Sequence, residues 1–416
     1  MRKESSYTLV TILVISGIFV SYILQMAPSP ILTILRDEFQ LYGKDSWLNL
    51  SVSIIFPVLI IFSVAGGMVT RKLGLKRLYT IALTFMAGGT VLNYIVGTYV
   101  EFLVGRLIFA IGFGLGIPFI GSIIMNCYQG KTQDTMNTVN AVFPFAGTLI
   151  SFGLLVPLYQ LFNNSWRDAL GIWGFFLLVI MLIWIFFVDT GSMTVSNAHT
   201  EKKLKGNLYW DLLKQREIRL LCIIFSCDYF CYSYIAVILP TFLQEQGNMT
   251  EQNAGILAAV AFPVFGLIGC AIGGGLNRCI GRYRPSLVYG QILKLVGVFV
   301  AVFGSTASIW LSAIGFAAFG FGNGFWMPAM YCIPMKLDGM TAERAGAAFA
   351  LISSFGFAFG FVSPTVGGWL TEGFTATVSH LGAVAQHTFG LRMSLLVFSI
   401  SNFIALLCAI KLKEKE

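Results

Sequence analysis

Long runs of apolar residues constrain this chain more than any other feature. Charged residues make up only 11% of its 416 residues and apolar residues 56%, whereas a soluble domain needs about a quarter of its residues charged. A helix that crosses a membrane needs roughly 20 mostly apolar residues. Twelve stretches meet that requirement, so we predict an all-α membrane protein with twelve transmembrane helices. The predicted spans are 8–35, 49–70, 78–98, 101–127, 137–161, 168–188, 218–243, 253–276, 285–304, 308–332, 344–371 and 390–411.

The positions of the basic residues predict how these spans are oriented. Most of the 27 lysines and arginines fall in alternate connections, together with both termini and the long connection 189–217. Positively charged loops stay on the cytoplasmic side, so we predict a multi-pass protein of the cell inner membrane with both termini cytoplasmic. The net charge of +8 is then a topology signal, and we expect the lipid bilayer, not nucleic acid, as its counterpart.

Two stretches of the sequence occur twice, about half the chain apart. GGMVTRKLGLKR begins at Gly66 and is echoed 207 positions later by GGGLNRCIGRYR, which begins at Gly273. GFGLGIP begins at Gly112 and is echoed 208 positions later by GFGNGFWMP, which begins at Gly320. One GxGxG pattern alone indicates only close helix packing. Two echoes at nearly the same spacing predict an internal duplication.

The duplication divides the twelve spans evenly. We predict two pseudo-symmetric six-helix bundles, 1–188 and 218–416, joined by a cytoplasmic linker over 189–217. Each bundle then carries one copy of the glycine-rich basic phrase between its second and third spans.

These phrases resemble the signature of the major facilitator superfamily, G-x-x-x-D-x-x-G-[RK]-x-[RK], between helices 2 and 3 and again between helices 8 and 9. An arginine, Arg71 in the first copy and Arg278 in the second, stands where that family has aspartate. LPTFLQEQG and NAGIL after the seventh span resemble the cyanate and nitroimidazole porter branch. The matching positions are Gly67, Gly74, Lys76 and Arg77, and Gly274, Gly281, Arg282 and Arg284.

The resemblance implies the twelve-helix fold of that superfamily and a secondary transporter that works by alternating access, with helices 1, 4, 7 and 10 around the cavity. No GxSxG, HExxH or intramembrane histidine cluster occurs in the sequence, so we expect no enzymatic activity, no cofactor and no metal. The expected partner is a small-molecule substrate, with H⁺ as the candidate coupling ion, and the expected state is a monomer.

Three charges fall inside predicted spans. Asp228 and Lys294 lie at similar depth in the seventh and ninth spans, and Arg106 lies in the fourth. A charge near the bilayer centre costs about 3 kcal/mol or more, so it should face a partner or a cavity. A structural ion pair between Asp228 and Lys294 is one interpretation, and a coupling carboxylate at Asp228 is the other.

The balance of these charges favours an anionic substrate. If Asp228 pairs with Lys294, Arg106 remains as a net positive charge, which suits a small organic anion, although a structural or coupling role for Arg106 is also open. A free Asp228 would suit a cation or a proton, and a proton-coupled drug or cation exporter of the same fold is the alternative. Such an exporter should carry acidic residues in the first or fourth span, and neither has one.

Polar and aromatic residues in the cavity helices are the predicted substrate contacts. Ordinary packing and hydrogen bonding between helices is the alternative for each one. All three histidines, among them His387, are predicted to lie in loops, so no buried histidine is expected to carry protons. The predicted contacts are Arg106, Tyr22, Gln25, Asn140, Tyr232, Asn323, Trp326 and Met327.

The two unusual arginines predict a cytoplasmic gate. In the resembled fold their loops meet the beginnings of helices 11 and 5, where Glu343 and Asp134 occur. We therefore predict the pairs Arg71–Glu343 and Arg278–Asp134. Partly exposed pairs of this kind contribute about 0.2–1 kcal/mol each, which is enough to bias a conformational equilibrium.

Overall fold

The structure is a computed structural model. It describes residues 2–63, 75–127, 130–188, 207–337, 342–378, 380 and 382–412. Within these ranges the regular structure is helical throughout, without a β-strand. The α-helices with both ends described are α1 (Arg2–Met26), α2 (Leu32–Glu38), α3 (Asp45–Ser53), α4 (Leu75–Val91), α5 (Tyr99–Cys127), α6 (Gly130–Leu161), α7 (Trp166–Phe187), α8 (Asn207–Lys214), α9 (Arg216–Gly247), α10 (Glu251–Ala259), α11 (Phe265–Ile280), α12 (Arg284–Gly304), α13 (Ile309–Cys332), α14 (Ala342–Ala376) and α15 (Ala383–Lys411). Residues 55–63 are helical as well.

Eleven helical stretches of the described residues are long and apolar enough to cross a membrane. The third predicted span, 78–98, is shorter than we expected. It forms α4, which has 17 residues, and then a 3₁₀ turn over Leu92–Tyr94. With α4 as the remaining helix, the chain has the predicted twelve-helix architecture.

Two spans differ from the sequence prediction, one by a break at prolines and one by an earlier start. The first span is interrupted after Met26, and a 3₁₀ turn over Ser29–Ile31 precedes α2. Pro28 and Pro30 lack the backbone N–H that would continue the α-helical pattern. The last helix, α15, begins at Ala383, seven residues before its predicted start, so the mixed apolar and polar stretch 383–389 is also helical.

The chain forms two compact units. Unit 1 comprises Met1–Gln40 and Leu50–Ala198, and unit 2 comprises Leu41–Asn49 and His199–Glu416. The short segment Leu41–Asn49 therefore packs with unit 2 although the chain on both sides of it belongs to unit 1. The proposed division into 1–188, 189–217 and 218–416 stays a prediction, since residues 189–206 lie outside the described part.

Glycines let helices of the same unit approach closely. In unit 1, a Cβ on Gly112 of α5 would lie 2.3 Å from the Ala82 carbonyl oxygen and 2.8 Å from Met86 Cγ of α4. In unit 2, a Cβ on Gly322 of α13 would lie 3.0 Å from Lys294 Cγ of α12. At each crossing the glycine thus makes room for one long side chain of the neighbouring helix.

These contacts correct the register of the duplication. A Cβ on Gly322 would also lie 2.7 Å from the Gly290 carbonyl oxygen, much as one on Gly112 would meet the Ala82 carbonyl oxygen. Gly112 therefore corresponds in its packing to Gly322, not to Gly320 as the sequence match suggested. Gly320 instead faces the Phe262 carbonyl oxygen, from the eighth span. A pattern with glycine at every second position matches itself in two registers. The sequence alone therefore could not decide whether Gly320 or Gly322 corresponds to Gly112.

Candidate functional site

The most heavily buried charges of the described residues lie in unit 2. Asp228 of α9 and Lys294 of α12 form an ion pair through Asp228 Oδ1, and the two side chains are 3% and 0% exposed. Gln291, one helical turn before Lys294, donates its Nε2 to the same oxygen over 3.0 Å. The two helices therefore bring together a carboxylate, an ammonium and an amide with almost no access to water.

Helix α13 supplies the other side of this cluster. Lys294 Nζ lies 5.0 Å from the centroid of the Phe319 ring and 5.9 Å from that of Trp326. Phe319, Asn323 and Trp326 follow one another at intervals of four and three residues, which places them on one face of the helix. The ring faces stabilise the ammonium group, and the glycine contact at Gly322 lets α12 come close enough for this arrangement.

Three polar atoms of these residues have no hydrogen-bond partner among the described residues. They are Gln291 Oε1, Asn323 Oδ1 and Trp326 Nε1, and all three are buried. Buried polar groups are nearly always satisfied by protein, water or ligand. The cluster therefore offers two acceptors and one donor beyond those that the protein itself uses. We refer to Asp228, Gln291, Lys294, Asn323 and Trp326 as the charged cluster.

The corresponding place in unit 1 is uncharged. Ser21 of α1 lies with its Oγ 2.8 Å from Met86 Sδ, and its hydroxyl also donates to the Gly17 carbonyl oxygen over 2.8 Å. Met86 packs beside Gly112 as Lys294 packs beside Gly322. A serine–methionine contact in one unit thus occupies the place of an ion pair in the other.

Arg106, the buried cation of unit 1, is bound by backbone. Its Nη1 and Nη2 donate to the Leu24 and Gln25 carbonyl oxygens over 2.7 and 2.8 Å, and its Nε donates to the Ser51 carbonyl oxygen over 2.9 Å. The last carbonyls of a helix lack intrahelical partners and carry partial negative charge. This geometry favours a structural brace at the end of α1, and the role of Arg106 in substrate binding stays a prediction.

The other predicted contacts are divided between the two units. In unit 1, the Tyr22 ring packs edge-on against Phe113 at 5.2 Å, and Gln25 is buried. In unit 2, the Tyr232 ring lies 5.5 Å from that of Phe262, and Met327 is half-buried. The side chain of Asn140 lies outside the described residues. Of the predicted contacts, the structure brings Trp326 to Lys294, and Asn323 lies on the same face of α13 as Trp326.

The predicted cytoplasmic gate falls on side chains that the structure does not describe. Arg71 lies in the range 64–74, and the side chains of Asp134, Arg278 and Glu343 are outside the described set. Both gate pairs stay predictions.

Two features escaped the sequence analysis. Gln291 donates to Asp228, and its spacing of three residues from Lys294 on one helix was the signal that could have identified it. His387 was expected in a loop, but it lies in α15, where its ring approaches Asp45 and Glu245. That expectation was wrong because the last helix begins earlier than the apolar run indicates.

A model of the Major Facilitator Superfamily matches residues 14–364. Among curated relatives, the uncharacterized transporter YycB of Bacillus subtilis is 24% identical over 89% of this chain and 88% of its own length. H(+)/hexose cotransporter 2 of Parachlorella kessleri is 21% identical over 78% and 68%. The probable galactarate/D-glucarate transporter GudP of Bacillus subtilis is 21% identical over 78% and 76%.

A solved structure shares the fold. The bacterial homolog to the human lysosomal transporter Spinster, in an inward-facing and unoccupied conformation, superposes with a TM-score of 0.81. The alignment covers 99% of both chains at 14% identity, which supports a similarity of fold alone.

Proposed function

Because the chain belongs to the Major Facilitator Superfamily, and so is a multi-pass membrane transporter and not an enzyme, we propose that it moves a small organic anion by alternating access, coupled to proton binding at Asp228. Alternating access in such folds proceeds by movement of one bundle against the other around a central site.

One observation carries the coupling step. Unit 1 closes its helix crossing with Ser21 and Met86, whereas unit 2 closes the same crossing with Asp228 and Lys294. Packing therefore does not require an ion pair at this place. A buried ion pair is rarely more stable than apolar side chains of the same volume, so a function is the better explanation for the charges.

The chemistry of the charged cluster suggests how a proton could act. When Asp228 is ionised, its Oδ1 accepts from both Lys294 and Gln291. A proton on that carboxyl group would remove the negative charge that neutralises Lys294. The ammonium group would then need another anion, because an unpaired charge in such a dry place is costly. We propose that a carboxylate of the substrate provides it.

An anion is the substrate class that this exchange favours. Protonation of Asp228 leaves Lys294 as a net positive charge, and the name of GudP gives galactarate and D-glucarate, both dicarboxylates, as the substrates of that relative. The preference for an anionic substrate thus rests on Lys294. It no longer rests on Arg106, because backbone carbonyls of unit 1 already bind that guanidinium.

An uncharged polyhydroxylated solute is the second candidate. Gln291 Oε1, Asn323 Oδ1 and Trp326 Nε1 are unpartnered in the described structure, and amides and indoles are suitable partners for hydroxyl groups. The hexose cotransporter among the relatives fits this class by its name.

The remaining details of the proposal follow from the sequence. We propose a monomer in the cell inner membrane with cytoplasmic termini, as the distribution of lysine and arginine favours. Closure on the cytoplasmic side would use the pairs Arg71–Glu343 and Arg278–Asp134.

An Asp228→Asn variant tests the coupling step. Asparagine resembles the protonated carboxyl group but cannot exchange a proton, so solute flux driven by a pH gradient should fall to that of protein-free liposomes. Counterflow of labelled against unlabelled solute, without a gradient, should persist. Ser21→Ala is the matched control in unit 1 and should retain both fluxes. Gradient-driven flux that survives in Asp228→Asn contradicts the proposal.

D-Glucarate and D-glucitol form a matched probe pair, since they share a six-carbon hydroxylated chain and differ in their terminal carboxylates. Counterflow of each labelled compound against its own unlabelled form is measured in proteoliposomes. The anion proposal predicts counterflow of D-glucarate alone. Counterflow of D-glucitol alone would transfer the assignment to the uncharged class.

A further inference from the structure

A second group of titratable residues lies at the other end of unit 2, away from the C-terminus. It is built from the last turns of α9, the first turns of α15 and the beginning of α3. His387 Nδ1 contacts Glu245 Oε2 at 2.5 Å, and His387 Nε2 lies 3.2 Å from Asp45 Oδ2. The second contact is within ion-pair distance but is not aligned as a hydrogen bond. We refer to these three residues as the histidine cluster.

Asp45 belongs to the segment Leu41–Asn49, which packs with unit 2. The segment is held there by several contacts with α14. Ser46 donates its backbone N–H to Glu372 Oε1 over 2.7 Å, and Asn49 Nδ2 donates to the Pro364 carbonyl oxygen over 3.0 Å. A Cβ on Gly368 would lie 2.3 Å from Ser46 N, so only glycine permits this approach. The segment is therefore docked against a fitted surface.

The geometry of the histidine cluster favours an imidazole that is protonated on both ring nitrogens. A neutral imidazole has one N–H and can donate to one carboxylate only, whereas an imidazolium has two. His387 presents one ring nitrogen to each carboxylate. Without the second proton, a ring lone pair would face a carboxylate, and two like charges would lie on either side of an uncharged ring.

The other charged groups near this site do not replace that proton. On α15, Arg392 donates to Gln246 Oε1 over 2.5 Å. On α14, Glu372 accepts a hydrogen bond from the backbone N–H of Ser46 and places a further negative charge next to the segment. Of the charged side chains described at this site, three are carboxylates (Asp45, Glu245 and Glu372) and one is a guanidinium (Arg392), which favours the protonated ring.

We propose that the histidine cluster is a proton-binding site, and that docking of segment Leu41–Asn49 onto unit 2 requires the proton on His387. A proton that binds the docked state more tightly than the undocked state favours docking as the pH falls. Undocking removes Asp45 from the ring, so the second proton is released to the solution at that face.

The chain on both sides of the segment continues into unit 1. Release of the segment is thus a step at which proton binding can be linked to alternating access. This last connection rests on the proposed transport function, whereas the docking itself does not and can be measured without any substrate.

Thiol labelling of two neighbouring positions measures docking. Ser46 is buried against Gly368, whereas Trp47 is 52% exposed. Ser46→Cys and Trp47→Cys are labelled separately with iodoacetamide in detergent, and the protein with its native cysteines alone gives the background. The labelling rate of the Ser46→Cys variant divided by that of the Trp47→Cys variant cancels the pH dependence of the thiol reaction. This ratio reports undocking.

Variants at His387 separate the effect of charge from that of side-chain shape. Each is made twice, once with Ser46→Cys and once with Trp47→Cys. His387→Gln retains a hydrogen-bond donor but no charge, and the ratio at pH 6 should rise about tenfold with loss of the charged contacts. His387→Lys retains a cation, so its ratio should stay low from pH 6 to pH 10, while that of the chain with His387 rises with pH. A glutamine variant that protects the thiol at position 46 as well as His387 does, or a lysine variant that labels like the glutamine variant, would overturn the proposal.

Discussion

The same helix crossing is built twice in this protein, once without charge and once around an ion pair. In unit 1, α4 and α5 meet where Gly112 admits Met86, and the neighbouring helix contributes Ser21. In unit 2, α12 and α13 meet where Gly322 admits Lys294, and the neighbouring helix contributes Asp228. The backbone contacts are alike, and the side chains differ in charge.

We propose that the difference separates what the fold needs from what the function needs. Small residues that let helices approach are common to both crossings, and they serve packing in lipid. Among the described residues, this crossing carries an ion pair in unit 2 and none in unit 1. Gln291 and Trp326 add further polar atoms beside the pair. The buried cation of unit 1, Arg106, is instead bound by three backbone carbonyls. In unit 1, the buried charge of Arg106 thus supports a helix end. In unit 2, a proton on Asp228 could release Lys294 from its ion pair.

The largest effect should come from removal of one partner of the ion pair. Asp228→Ser leaves Lys294 buried without its anion, and we expect a loss of about 3–5 kcal/mol in the free energy of unfolding. Ser21→Ala at the corresponding place of unit 1 removes one neutral hydrogen bond and should cost only about 0.6 kcal/mol. Unfolding in mixed micelles measures both. Equal losses would mean that the two crossings do not differ as described.

A smaller effect, equal in the two units, should follow from filling the glycine sites. The Cβ of Gly112→Ala would meet the Ala82 carbonyl oxygen, and that of Gly322→Ala would meet the Gly290 carbonyl oxygen. Overpacking of this kind costs about 1–3 kcal/mol. The same unfolding measurement should give similar losses for both variants. Gly275→Ala is a suitable control, because a Cβ there meets nothing within 4 Å.

The sequence was sufficient for the architecture because lipid imposes length and apolarity on every span. It also offered the ion pair of Asp228 and Lys294 as one of two interpretations, because two opposite charges at one depth can neutralise each other, and the structure contains that pair. It could not show that Arg106 binds backbone carbonyls, because every residue type has the same carbonyl group. It could not choose between Gly320 and Gly322, because alternating glycines fit two registers.

The histidine cluster shows another limit of reading the sequence. His387 lies ahead of the apolar run of the last span, and hydropathy gives no signal for a helix there. Its partners come from positions 45 and 245, which are far apart in the chain. Only the packing of three chain segments in unit 2 brings them together.

The most direct test of the account converts the crossing of unit 2 into that of unit 1. Asp228→Ser combined with Lys294→Met removes both charges and installs the side chains of Ser21 and Met86. We predict that this double variant unfolds with a free energy within about 1 kcal/mol of the wild type, unlike Asp228→Ser alone, and that it no longer moves solute in response to a pH gradient. A double variant that is as unstable as the single one, or that still couples transport to the gradient, would contradict the claim that the ion pair serves function and not packing.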